Sequence, residues 1–240
     1  MVAKIYNTFN IDSVGFGEPR SNSNGGKIVP LYDVEPKNRI QFQLGELGDT
    51  VDNTTATRVA FPPEVNKFDT SKTEMTIEVD AEPLAFVKGL EGKVVDAALQ
   101  NKKTWFKKGV ADEMVRNQFS SRIKPSNSVE YPSDTMKVRV LPGETEVYVV
   151  KVGSDGATKH GGAVSCTKGS LDAITRGSLV IPVLRTRGGV YFQSTAFGIT
   201  FEATSILVIG APRGQKRGIS ALNLGASVKL VEESDGGEDA

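Results

Sequence analysis

Residues 102–124 read KKTWFKKGVADEMVRNQFSSRIK and hold the single tryptophan, Trp105, beside Phe106, with Lys102, Lys103, Lys107 and Lys108 around the pair. An aromatic face among ammonium groups can stack on a base while the lysines neutralise phosphates and release counterions. Arg122 and Lys124 continue the basic character. Further on, Arg185 and Arg187 precede Gly188-Gly189, and Tyr191-Phe192 open the next strand-like run. Adjacent strand residues face opposite ways, so one of Tyr191 and Phe192 can point at a ligand and the other belongs to the core. The candidate contacts are therefore Trp105, Phe106, Lys107, Lys108, Arg122, Lys124, Arg185, Arg187 and Tyr191. Two other readings stay open: the Trp-Phe pair as core following a helix, and the lysines as a solvated helix end.

The last nine residues, EESDGGEDA, carry Glu232, Glu233, Asp235, Glu238 and Asp239 and no basic residue. Such a strip repels itself and cannot pack. It reads as a solubility tail, or as an internal competitor for a basic groove and a docking strip for other proteins. A third basic cluster, Arg213, Lys216 and Arg217, sits in the loop-like segment GAPRGQKRG.

Other chemistries are weakly supported. His160 is the one histidine and Cys166 the one cysteine, so a His-rich zinc site, a Ser-His-Asp triad and a disulfide framework have too few parts. A Cys166-His160 dyad has no third partner in view. Gly25-Gly26-Lys27 lacks the earlier glycine of a phosphate loop, where Ser21 stands. Gly15-Phe16-Gly17 lacks the third glycine of a dinucleotide site. The expectation is a non-enzyme with no cofactor and no metal. Lys plus Arg and Asp plus Glu number 29 each, which rules out a uniformly basic protein but not a locally basic groove. No apolar run reaches 18 residues and no signal-peptide core is seen, so an intracellular, non-membrane protein is expected.

These side chains need a scaffold, and the pattern is mostly β. Strand-like runs cover Lys27–Tyr32, Arg39–Leu44, Thr57–Phe61, Met75–Val79, Met136–Leu141 and Glu146–Val152. Ser178–Thr186, Val190–Gln193, Phe197–Ile209 and Ala226–Val231 follow. Phe86, Leu90, Val94 and Ala97 or Ala98 recur at helical spacing and predict a helix over Glu82–Asn101, weakened by Gly89 and Gly92. A shorter helix is expected over 111–119. The architecture implied is a mostly antiparallel β-domain with one packed or inserted helix, either a small barrel of the OB type or a β-sandwich. Residues 1–231 are taken as one domain with an N-terminal extension, and 232–240 as a disordered acidic tail.

Three segments resemble one family. They are GFGEPRSNSNGGKIVPLYD, TWFKKGVADEMVRNQFSSRIK with Tyr131-Pro132 and the strand Met136–Val140 after it, and KGSLDAITRGSLVIPVLRTRGGVYFQSTAFGITFEATSILV. The family is the single-stranded DNA-binding proteins of large nucleocytoplasmic DNA viruses, related to the phage replication type with an OB-fold and an acidic tail. The resemblance spans most of residues 15–209, in order. It implies an OB-like barrel, sequence-independent binding of single-stranded DNA, no catalysis, and work in viral DNA replication, recombination and repair. It also implies viral replication proteins as partners of the tail, at a replication site in the host nucleus or cytoplasm. Monomer and homo-oligomer are both compatible with it. The chain departs from the phage type in ending Asp239-Ala240 rather than on an aromatic residue. The rival expectation is a β-sandwich virion or scaffold protein.

Overall fold

Five of the expected strand runs close on themselves in the computed structural model, which describes residues 3–21, 26–33, 39–67, 69–106, 110–127, 133–160 and 163–209. They are β1 (Thr57–Val65), β2 (Thr73–Glu78), β3 (Thr135–Val140), β4 (Leu179–Thr186) and β5 (Phe201–Ile209). β1 pairs β2 and β2 pairs β3 antiparallel, β3 pairs β5 parallel, and β4 is antiparallel to both β5 and β1. The order 1-2-3-5-4-1 leaves no gap, which makes a closed barrel of the OB type and removes the sandwich alternative.

The alternation of each strand decides what faces inward. In β3, Met136, Val138 and Val140 are buried while Thr135, Lys137 and Arg139 lie outside. In β2, Met75 and Ile77 are buried between Glu74, Thr76 and Glu78. The domain is mostly antiparallel, as expected, with parallel pairing along one edge of β5. β5 also runs parallel to the strand Glu146–Val150, so its outer edge is shared between two parallel neighbours. The Ala226–Val231 run falls outside the described residues.

A helix, α1 (Ala81–Gln100), joins β2 to β3. Phe86, Leu90, Val94, Ala97 and Ala98 are buried, as the spacing predicts, whereas Gly89 and Gly92 are exposed, Gly89 lying close against Ile11 and Gly92 facing open space. Phe86 meets Phe42 edge to face at 4.9 Å and also touches Tyr6 and Phe9, which ties the helix and the N-terminal segment to the barrel. Burying one such ring contributes about 1.5–3 kcal/mol. A four-residue helix absent from the sequence reading, α2 (Lys102–Trp105), follows, and then α3 (Asp112–Gln118).

The β4–β5 connection makes an excursion of its own. Val190–Phe192 pairs with Phe197–Gly198 and with Lys27–Val29. Gly188 and Gly189 turn the chain with φ of +70° and +131°. A Cβ at Gly189 would collide with the Val29 carbonyl, so the turn needs glycine for both reasons.

Candidate nucleic-acid interface

A groove of about 780 Å³ crosses the outer face of β2 and β3 between the β1–β2 loop and the β4–β5 connection. Strand alternation supplies its floor: Glu74 comes from β2, and Lys137 and Arg139 from β3. The β1–β2 loop adds Asn66 and Lys72. The segment after α3 adds Arg122 and Lys124, and the β4–β5 connection adds Arg187, Tyr191 and Phe192. Six of these lining residues are cationic and one, Glu74, is acidic.

Four of the six cations, Lys72, Arg122, Arg139 and Arg187, are held by side-chain contacts. The Arg122 Nε donates to the Ile199 carbonyl at 3.1 Å and Nη2 donates to Thr200 Oγ1 at 2.8 Å, while its guanidinium lies 5.8 Å from the Tyr191 ring centre. Its backbone N–H donates to Glu91 Oε1 at 2.8 Å, and the neighbouring Ser121 hydroxyl donates to Oε2 at 2.7 Å. Glu91 is buried on α1, and desolvation pushes its carboxyl above the usual range against the pull of these bonds and of Arg122 and Lys88. Arg139 Nη2 reaches the Ser71 carbonyl at 3.4 Å; its Nε is buried and has no partner among the described residues. Lys72 pairs with Asp69 at 2.6 Å, and that bond with the Ser71 hydroxyl brings the Asp69 pKa down to about 2.

Glu202 explains the two arginines before the glycine turn. This carboxylate is buried between Arg185 Nε at 3.3 Å and Arg187 Nε at 3.1 Å. Two guanidinium partners offset its desolvation. Arg187 stays 52% exposed and lines the groove, whereas Arg185 does not line it and is occupied with Glu202. Arg185 thus sits outside the groove, where it neutralises a buried acid.

The larger correction concerns the Trp-Phe pair. Trp105 is 3% exposed and packs at 5.4 Å from Phe16 and 6.0 Å from Phe192. No face of its indole is open to a base. Phe106 packs edge to face on Phe192 and Phe197 at 5.4 and 5.2 Å. Both belong to an aromatic cluster that seats α2 and the β4–β5 connection. The nearby charges serve structure as well. Lys27 Nζ donates to the Thr104 and Trp105 carbonyls at 2.8 and 2.6 Å and lies over the Phe192 ring, and burial pulls its pKa down. Lys102 pairs with Asp112 across the α2–α3 gap. Lys107, Lys108 and the tail acids Glu232, Glu233, Asp235, Glu238 and Asp239 lie outside the described residues, as does the 213–217 basic cluster.

The expected division at 191–192 is not clean in space: both residues are half-buried and line the groove, Tyr191 beneath the Arg122 guanidinium and Phe192 stacked on Phe197 at 5.6 Å. The sequence reading missed Lys72, Lys137 and Arg139. Two of the three were legible, because a strand that reads Met-Lys-Val-Arg-Val must put its lysine and arginine on one face. Lys72 had no signal, since only the barrel brings the β1–β2 loop beside β3.

Cys166 is exposed on the strand Cys166–Gly169, paired with Val150. Among the described residues no three His, Cys, Asp or Glu side chains gather as a metal site would require, and no helix is long and apolar enough to cross a membrane.

No protein-family model matches the chain, and no curated protein matches it. Among solved structures, the chain is similar to the single-stranded DNA-binding protein from bacteriophage Enc34. The identity is 14%, 86% of this chain and 97% of that chain are covered, and the TM-score is 0.42. A C-terminal truncation of that protein matches at 13% identity over 84% and 98% of the two chains, with a TM-score of 0.42. The same protein in complex with single-stranded DNA matches at 14% identity over 80% and 93%, with a TM-score of 0.39.

Proposed function

We propose that this chain is a sequence-independent single-stranded DNA-binding protein. The observation that carries the reading is the groove itself, six cationic side chains against one carboxylate on the β2–β3 face of a closed OB-type barrel. That face, with the β1–β2 and β4–β5 loops, is where this barrel takes oligonucleotides. Arg122, Lys124, Lys137, Arg139 and Arg187 contact phosphates, with Lys72 at the rim. Tyr191 offers its ring to a base beside Arg122. None of these contacts reads a base edge, so affinity is independent of sequence.

In this reading the protein is no enzyme and needs no cofactor. It coats single strands during viral DNA replication, recombination and repair at the replication site of the infected cell, as the resemblance implies. The five tail acids compete for the groove when DNA is absent and dock replication proteins.

Titration into fluorescent oligo-deoxythymidine at several salt concentrations tests it, with duplex DNA as competitor and a second protein lacking residues 232–240. Up to six phosphate contacts give a slope of log K against log salt of about −4. Duplex should not displace the oligomer, and the truncated protein should bind more tightly at low salt. Absence of salt-dependent binding by both proteins would overturn the proposal.

A further inference from the structure

We infer that Phe61 is a base-stacking platform that carries the groove over β1, an extension that rests on the single-strand reading above. Phe61 is the one phenylalanine among the described residues that is largely exposed, at 54%. A β-bulge accounts for this. Val59 pairs with Ile77 and both are buried, but Phe61 pairs with Thr76, so one extra residue, Ala60, is inserted between the two pairs. Without it Phe61 would continue the inward phase of Val59. The insertion turns the ring to the outer face, which is how bulges re-aim single side chains.

The outer face it joins is that of the groove. Thr76 is opposite Phe61 on one side and opposite Lys137 on the other, so Phe61, Thr76 and Lys137 form one row across β1, β2 and β3. Directly opposed residues share a face. The row in front holds Glu64, Glu74 and Arg139. Behind it Arg58 reaches Glu78 at 4.0 Å. Two strand spacings, roughly 10 Å, separate the ring from the groove floor at Lys137. Arg176 lies over the Phe61 ring at 6.0 Å, while the side chain keeps more than half its surface open. An aromatic face with a guanidinium beside it, in line with a cationic groove, suits a base and the phosphate next to it.

A strand from another protein fits poorly here. Beyond Arg58, β4 no longer pairs with β1, which leaves that edge open, but one of Pro62 and Pro63 removes an N–H donor from it. The neighbours of Phe61 on this face, Arg58, Thr76 and Glu64, are polar, so it is not the centre of an apolar docking patch.

The test uses the full chain as wild type, Phe61→Ala and Phe61→Trp, on deoxythymidine oligomers of increasing length. Phe61→Ala should leave the shortest bound oligomer unaffected and weaken the longer ones roughly 5- to 150-fold, the span of one base–aromatic stack. Phe61→Trp should bind the longer oligomers at least as tightly as wild type, and its added fluorescence should be quenched. Wild-type binding with unchanged affinity in Phe61→Ala and no quenching in Phe61→Trp would overturn the platform and leave the groove standing. A change in self-association without a change in DNA affinity would do the same and make Phe61 a protein contact. If wild type binds no single strand, platform and groove fall together.

Discussion

The aromatic cluster around Trp105 and the open groove over β2–β3 are built from the same residue types and do opposite work. In the cluster, Trp105, Phe106, Phe192 and Phe197 satisfy one another, and Lys27 caps the carbonyls at the end of α2. In the groove, Arg122, Lys137, Arg139 and Arg187 come from separated segments, and Tyr191 and Phe192 stand among them. The cluster also draws on separated segments, but it is closed in space. The groove is dispersed in sequence and open in space. A run of aromatic and basic residues therefore says little about binding until the burial of the rings is known.

The sharpest way to break this contrast is Trp105→Ala. The cluster role predicts a loss of about 3–5 kcal/mol of stability, read as a lowered midpoint in denaturant. The fraction that remains folded should bind oligo-deoxythymidine as the parent does. A stable variant with weak DNA binding would reverse the assignment of the two regions.

The complementary change is Lys137→Ala with Arg139→Ala in the groove. Their outward positions predict little change in stability. Loss of two phosphate contacts should flatten the salt slope by about 1.4, or roughly 25-fold in affinity at 0.1 M salt if binding at 1 M is unchanged. An unaltered slope would remove both residues from the interface.

The smallest effect concerns the link between the helix and the groove. Glu91 has a folded pKa raised above its unfolded value near 4.5. A raised carboxyl favours the folded state fully below that unfolded value, and the benefit is lost as pH rises through the folded pKa. Glu91→Gln removes this dependence. The stability of wild type relative to Glu91→Gln should therefore increase as pH falls from 7 towards 4.5, measured by thermal melting. A constant difference across that range would show that Glu91 is not desolvated as its burial against Ser121 and Arg122 implies.

Much of the fold was legible along the chain. Nine of the ten expected strand runs hold strand residues, and the tenth, Ala226–Val231, lies outside the described residues. The long helix runs Ala81–Gln100 against an expectation of Glu82–Asn101. Period two and period 3.6 are local properties, so the residues themselves declare them. The turn at Gly188-Gly189 was readable for the same reason, because its positive φ angles admit few other residues. Of the candidate contacts named from the sequence, Arg122, Lys124, Arg187 and Tyr191 line the groove, while Trp105 and Arg185 do not.

By itself the sequence determined which stretches become strands and helix, and which faces of them are apolar. Only the tertiary structure decided that five of those strands close into a barrel, because closure depends on the pairing of β4 with β1 and of β3 with β5, more than 60 residues apart in each case. Packing against Phe16 and Phe192 buried Trp105, and the bulge in β1 left Phe61 outside. Burial is a property of neighbours distant in the chain, and a single inserted residue in β1 is enough to turn a ring from core to surface.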